Sequence, residues 1–215
     1  MAVTGDINLW AKNFPSEYIP AVIRLILNSW QTFKFTCKPL EVPITQRLCA
    51  HLRNNKDRSF DFFRIDWEPY EIDDRGNITG RIDLKFSQGL DEKVYFSFEC
   101  KRLRVIFPSG FDSLASKYVT DGMSRYFNGQ YAQGLDRGGM LGYVMDGNID
   151  EAIKDVQKAI EERRQNLYMS EGHTLKEATI ISSEQVKESS HNYGPDGKFV
   201  IYHIFLPLSV LLNAN

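Results

Sequence analysis

Three side chains could act together chemically if the backbone brought them side by side. They are Asp83, Glu99 and Lys101, the last two flanking Cys100 in the run Phe98-Glu99-Cys100-Lys101. Two carboxylates held as direct or diagonal cross-strand neighbours, roughly 4.5–8 Å apart, can share a hard divalent cation. Mg²⁺ typically takes one or two carboxylates, several waters and substrate phosphate oxygens, and it polarises a phosphoryl group and lowers the pKa of a bound water. An ammonium beside the pair would orient the attacking water or stabilise charge on a pentacovalent phosphorus. The chemistry implied is metal-assisted attack of water on a phosphoryl group.

Strand periodicity must position these groups. Phe63, Ile65 and Trp67 alternate with Arg64, Asp66 and Glu68; Ile82, Leu84 and Phe86 alternate with Arg81, Asp83 and Lys85. Phe96, Phe98 and Cys100 alternate in the same way with Tyr95, Ser97, Glu99 and Lys101. Turn chemistry at Asp74-Arg75-Gly76-Asn77 and in the polar run 87–92 joins the three into an antiparallel meander. Residues two apart share a face, so Glu99 and Lys101 project together. Asp83 meets them only if paired positions on the two strands sum to 180 or 182, and burying both apolar rows on one side demands such an even register.

Around the meander, helical spacing predicts a helix from Ile19 or Pro20 to about Phe33 and another from Pro43 to Asn54. A helix over Ser113–Phe127, a strand over Gly139–Met145, an Asn148-capped helix reaching about Leu167, and strands near Ala178–Ser183 and Lys198–Leu206 follow. The order ααβββαβαββ predicts an α/β (mixed α+β) fold, with a central mixed sheet containing the antiparallel meander and flanked by helices. With no repeat, low-complexity tract or linker, residues 1–215 read as one domain.

Composition excludes several classes. Hydrophobic residues are 42% and charged residues 25%, ordinary for a globular chain and unlike a disordered or disulfide-scaffold one. A net charge of −2 argues against indiscriminate coating of nucleic acid, so any such contact must be local. Cys37, Cys49 and Cys100 have no CxxC spacing and read as free thiols of a reducing compartment. The N-terminus lacks a signal-peptide layout, and the most apolar stretch, Phe199–Leu212, falls short of the about 20 residues of a membrane span. A cytoplasmic, non-membrane protein is expected.

The order helix, strand, strand with Asp, strand with Glu-x-Lys, helix, strand resembles the PD-(D/E)xK nuclease superfamily, with its restriction-endonuclease-like fold. The matching segments are Gly80-Arg81-Ile82-Asp83-Leu84-Lys85-Phe86 and Tyr95-Phe96-Ser97-Phe98-Glu99-Cys100-Lys101-Arg102-Leu103, with fifteen positions between Asp83 and Glu99. The likeness covers about residues 41–146, leaving 147–212 as an extension, and it departs from the pattern in lacking Pro before Asp83. The resemblance implies a Mg²⁺- or Mn²⁺-dependent DNA endonuclease with Asp83, Glu99 and Lys101 catalytic. The metal would be held by Asp83, Glu99 and the Cys100 main-chain carbonyl, with Glu41 from the preceding helix, or more weakly Glu17, as a further acid. Small stand-alone members often serve bacterial defence, repair or mobile elements, and defence against foreign DNA, as a homodimer or beside a partner subunit, is the setting expected here. The alternative is a catalytically silent subunit of the same fold that binds a protein or nucleic acid.

From Lys101 to Met140, six cations face three acids, with Tyr118, Tyr126, Phe127 and Tyr131 interleaved. Arg102, Arg104, Lys117 and Arg125 are therefore candidates for phosphate-backbone contact. Competing with the metal site is a bland reading of Asp83, Glu99, Lys101, Arg81 and Lys85 as a solvated cross-strand ion-pair face. The mostly apolar strand around Glu99 argues against it, because charges in such a setting need partners.

Overall fold

The computed structural model describes residues 14–35, 39–56, 63–72, 75–88, 94–128, 135–194 and 197–208. Cys37, Tyr131, Asp74 and most of the polar run 87–92 lie outside them. The helices α1 (Ile19–Thr32) and α2 (Glu41–Asn55) are followed by strands β1 (Phe63–Trp67), β2 (Tyr70–Ile72), β3 (Ile78–Arg81), β4 (Leu84–Gln88) and β5 (Tyr95–Leu103). Then come β6 (Val105–Phe107), β7 (Gly110–Asp112), a short α3 (Ala115–Lys117), β8 (Arg137–Val144), α4 (Ile149–Glu161), β9 (Lys176–Glu177), β10 (Val186–His191) and β11 (Phe199–Pro207).

Seven strands form one mixed sheet in the order β1-β4-β5-β8-β11-β10-β9, parallel only where β8 meets β5 and β11. Helices cover both faces. On one side Val22, Ile23, Ile26 and Trp30 of α1 and Ile44, Leu48 and Leu52 of α2 pack on Phe86, Phe96, Phe98 and Tyr143. On the other, Tyr118, Val119 and Tyr126 with Val156 and Ile160 of α4 pack on Met140, Val144, Ile201 and Phe205. Pro20 enters α1 in its first turn, where its missing N–H does no harm, and Asn148 caps α4 by accepting from Glu151 N at 3.2 Å. Among the described residues no helix is long and apolar enough to cross a membrane.

The meander forms in the even register, with Leu84 opposite Phe98 and Lys85 opposite Ser97. The strand expected over 78–86 bends, however. One register runs unbroken from Phe63↔Gln88 through Trp67↔Leu84 to Tyr70↔Arg81, so β1–β2 and β3–β4 are two halves of a single long hairpin. At its middle Glu68 takes φ 50°, and its N–H reaches Asp83 O at 3.3 Å while Ile82 N reaches Pro69 O at 3.0 Å. Beyond that point the hairpin leaves the sheet as a two-stranded ribbon, and β5 runs on without β4 beside it.

Three further expectations are corrected. The helix over 113–127 is a single α-turn followed by a π-turn, Tyr118–Gly122, and a 3₁₀ turn, Met123–Tyr126. A ribbon, β6–β7, precedes it around a Pro108-Ser109 turn. The strand placed at 178–183 is irregular, because Thr179 N and Oγ1 bond the Glu188 carboxylate at 2.8 and 2.9 Å instead of a ladder, and the true strand is the more polar β10. The fourth helix stops at Glu161 and only a 3₁₀ turn, Arg164–Leu167, continues towards its expected end.

Candidate metal centre

Where β4 departs, the N–H groups of Cys100 and Arg102 on β5 lose the neighbour that would continue the ladder. A buried amide without an acceptor costs about as much as a lost hydrogen bond, so such groups are met by other means. Two carboxylates meet them here. Asp83 Oδ2 accepts from Cys100 N at 2.7 Å, and Glu41 Oε2 accepts from Arg102 N at 3.0 Å. Glu41 is the first residue of α2, so a helix from one face of the sheet reaches over the gap to its far side.

Glu99 projects into the same gap and is fully buried. Two cations hold its carboxylate. Lys101 Nζ lies 2.5 Å from Oε1, and Arg125 Nη1 lies 3.0 Å from Oε1 and 3.2 Å from Oε2. Lys101 also donates to Cys100 O at 3.0 Å and stands 3.4 Å from Glu41 Oε1. Among the described residues three carboxylates and two cations therefore share one recess, an excess of one negative charge when all are ionised. The imbalance falls on Asp83. Its recessed position, then the charge of Glu99, push its carboxyl up to about 7, against the pull of Lys101 and the Cys100 N–H. Burial works against the Lys101 ammonium, but Glu99, Glu41 and Asp83 outweigh it and hold the group above the ordinary lysine range.

Arg125 reaches Glu99 through local backbone irregularity. The π-turn ends at Gly122, where an added Cβ would meet Met140 Cε at 2.6 Å, Lys101 Cγ at 3.4 Å and Glu99 Cγ at 3.6 Å. Glycine thus lets the chain press against the site, and π-turns recur where helices carry functional groups. Tyr126, the next residue after Arg125, ties this segment to the sheet by its hydroxyl, 2.7 Å from Gly139 O and 3.1 Å from Ser97 O. Gly138 and Gly139 are explained by packing: a Cβ on either would strike the ring of Tyr126 or Phe98 at 2.4 or 2.3 Å.

Of the residues singled out from sequence, Asp83, Glu99, Lys101, Glu41 and Arg125 converge. The carbonyl of Cys100 is present too, engaged by Lys101. Others lie apart. Glu17 is exposed in the turn before α1, and Lys117 is exposed on α3. Arg104 is drawn away from a phosphate-binding role into a cluster with Asp146 at 2.8 Å and Asp155 at 2.7 Å. Arg102 contributes its main-chain N–H to Glu41, its side chain being half-buried. Arg81 pairs with Glu68 at 3.0 Å and Lys85 with Glu71 at 3.6 Å.

The donor set suits a hard divalent cation. It consists of carboxylate and carbonyl oxygens, carries excess negative charge, and contains a carboxyl whose affinity for a proton is raised by burial and by the neighbouring Glu99. Ser97 Oγ, two positions before Glu99 on the same face of β5, is buried with no hydrogen-bond partner among the described residues. Among those residues no ready-made group of three His, Cys, Asp or Glu ligands occurs, so an ion here would rest on two carboxylates, with main-chain and water oxygens completing its shell.

A second polar system lies deep between the sheet and the α3–α4 layer. Tyr118 Oη contacts His203 Nδ1 at 3.0 Å, His203 Nε2 contacts Ser189 Oγ at 2.8 Å, Ser189 Oγ contacts His191 Nε2 at 2.7 Å, and His191 Nδ1 contacts Leu167 O at 2.7 Å. One proton order satisfies every member: Tyr118 donates to His203, His203 to Ser189, Ser189 to His191 and His191 to Leu167 O. Burial holds both imidazoles neutral, lowering His191 to about 4 and His203 to about 3. Ser189 and His203 are fully enclosed, which makes this chain an internal brace. Compared with family models, curated proteins and solved structures, the sequence and fold gave no match.

Proposed function

We propose that this chain is a metal-dependent nuclease, hydrolysing phosphodiester bonds at the gap between β4 and β5, with DNA as the expected substrate and defence against foreign DNA as the expected setting. The observation that carries the reading is the convergence of Glu99 and Glu41 on the Lys101 ammonium, with Asp83 bonded to the adjacent Cys100 N–H, at a break in the sheet. A fold gains little by burying Glu99 and crowding two half-buried acids beside it, since the desolvation cost of a buried ion pair can exceed what the pairing returns. Asp83 and Glu99, with the Cys100 carbonyl, would hold Mg²⁺ or Mn²⁺, and the ion would polarise the phosphoryl group and acidify a bound water. Lys101, kept charged by its carboxylate neighbours, donates to the attacking oxygen or to the developing phosphorane charge. Glu41 keeps Lys101 aimed into the recess and closes the Arg102 N–H.

One observation favours a second reading. Both oxygens of Glu99 are already engaged by cations of the chain itself, as expected of a silent subunit that keeps the fold for binding. The two readings part in one experiment. Pure protein is incubated with plasmid, single-stranded DNA or RNA in Mg²⁺, Mn²⁺ or EDTA, beside Glu99→Gln. Ion-dependent cleavage lost in the variant supports the enzyme. Equal products from wild type and variant, or none with any substrate and ion, refute it in favour of the binding subunit.

A further inference from the structure

The two cations on Glu99 are not equivalent. Lys101 leaves the same strand two residues on, its side chain is 12% exposed, and Cys100 O and Glu41 hold it independently of Glu99. Arg125 arrives from the 3₁₀ end of an irregular segment, and its side chain is 34% exposed. Of the two it is the more exposed to solvent. A fully buried carboxylate needs a counter-charge at all times, because an uncompensated one bears a large desolvation cost. A divalent ion on Glu99 would supply that charge in Arg125's stead and would repel a guanidinium standing 3.0 Å from the same oxygen.

We infer that Arg125 is a built-in counter-ion of Glu99 that a divalent cation must displace, so that binding of the ion and release of the guanidinium are one event. The inference rests on the proposal that Asp83 and Glu99 take the ion. It has two consequences. Ion affinity is held down, since part of the binding free energy goes into removing Arg125. The freed guanidinium, planar and always charged, then becomes available to a phosphate beside the ion, the group it recognises best. Ion and phosphate would in this way favour each other's binding through a single side chain. Gly122 and the π-turn belong to this device, because they set the close approach that brings Arg125 to Glu99.

The test is calorimetric titration of Mn²⁺ into the full chain, as wild type, Arg125→Ala and Arg125→Gln, with thermal unfolding of each in EDTA and in saturating Mn²⁺. Arg125→Gln keeps an N–H donor without the charge, so the comparison survives if the alanine variant packs poorly. Both variants should bind Mn²⁺ about 10-fold tighter or more, should melt lower than wild type in EDTA, and should gain more from Mn²⁺. Binding by the variants when wild type binds too weakly to measure supports the inference equally. Equal or weaker Mn²⁺ affinity in both variants, with wild type binding, overturns the role of Arg125 and leaves the two-carboxylate centre standing. No Mn²⁺ binding by any of the three overturns the centre itself, and the inference with it.

Discussion

Replacing Asp83 with asparagine should make the ion-free protein more stable at neutral pH, by an amount that grows with pH. The asparagine amide keeps an oxygen for the Cys100 N–H, so the hydrogen bond that closes the gap survives. What is removed is a charge. The Asp83 carboxyl stands at about 7 in the folded chain against an ordinary 3.8. Between those values the folded state binds more protons than the unfolded one, so this group's contribution to stability falls as pH rises from 3.8 through about 7. A gap of about three units, at about 1.4 kcal/mol each, makes the full penalty on the order of 4 kcal/mol, of which about 2–3 kcal/mol develops between pH 5 and pH 8. His191 and His203 slope the other way. Their folded values, about 4 and about 3, lie below the ordinary 6.5, so their contribution is complete above 6.5 and is lost as pH falls towards those values. Being common to both proteins, the histidines cancel in the difference. Urea denaturation in EDTA at pH 5, 6, 7 and 8, followed by tryptophan fluorescence, measures it. A stability difference between Asp83→Asn and wild type that stays flat across this range would refute the electrostatic account of the recess. Mg²⁺ added to wild type should flatten its own pH dependence by favouring the ionised carboxylate.

Other outcomes follow from particular contacts. Lys101→Ala should lower the cleavage rate by about 10²–10³ while Mn²⁺ affinity stays similar or tightens, and Lys101→Arg should not restore the rate, because a planar guanidinium does not fit a compact ammonium's place; single-turnover kinetics beside calorimetry separate the two effects. Gly139→Ala should destabilise by about 1–3 kcal/mol, since its Cβ would stand 2.3 Å from the buried Phe98 ring, whereas at Gly122 the one contact under 3 Å is the flexible terminal methyl of Met140, so Gly122→Ala should cost less; urea midpoints rank them. Tyr118→Phe leaves His203 Nδ1 without its donor and should cost about 1–3 kcal/mol by the same measurement.

Much of the meander was legible because period-2 alternation carries two kinds of information at once. It marks Phe96, Phe98 and Cys100 as one face and Glu99 and Lys101 as the other. Burial of Leu84 and Phe86 beside them then admits only an even register, and the observed pairing of Leu84 with Phe98 is of that kind. The acid on the second helix was legible as a charge at a helix start, though its reach to Lys101 and Arg102 N was not. Strand β10 escaped notice for the opposite reason. Glu188, Ser189 and His191 look like loop residues in sequence, yet each is buried and satisfied by a partner on another segment, Thr179, His203 and Leu167 in turn.

By itself, then, the sequence determined the two N-terminal helices, the strands of the meander with their faces, and the even register that sets Asp83 near Glu99, because these follow from local periodicity and the burial of apolar rows. Tertiary structure alone decided three things that give the recess its character. The hairpin peels from β5 at Glu68 and Pro69, stranding two amides that Asp83 and Glu41 must satisfy. Asp83 is thereby recessed beside the buried Glu99, which raises its carboxyl to about 7. A π-turn at Gly122 carries Arg125 onto Glu99. Each depends on how far one element travels before meeting another, and hydrophobic spacing within a single element holds no record of that distance.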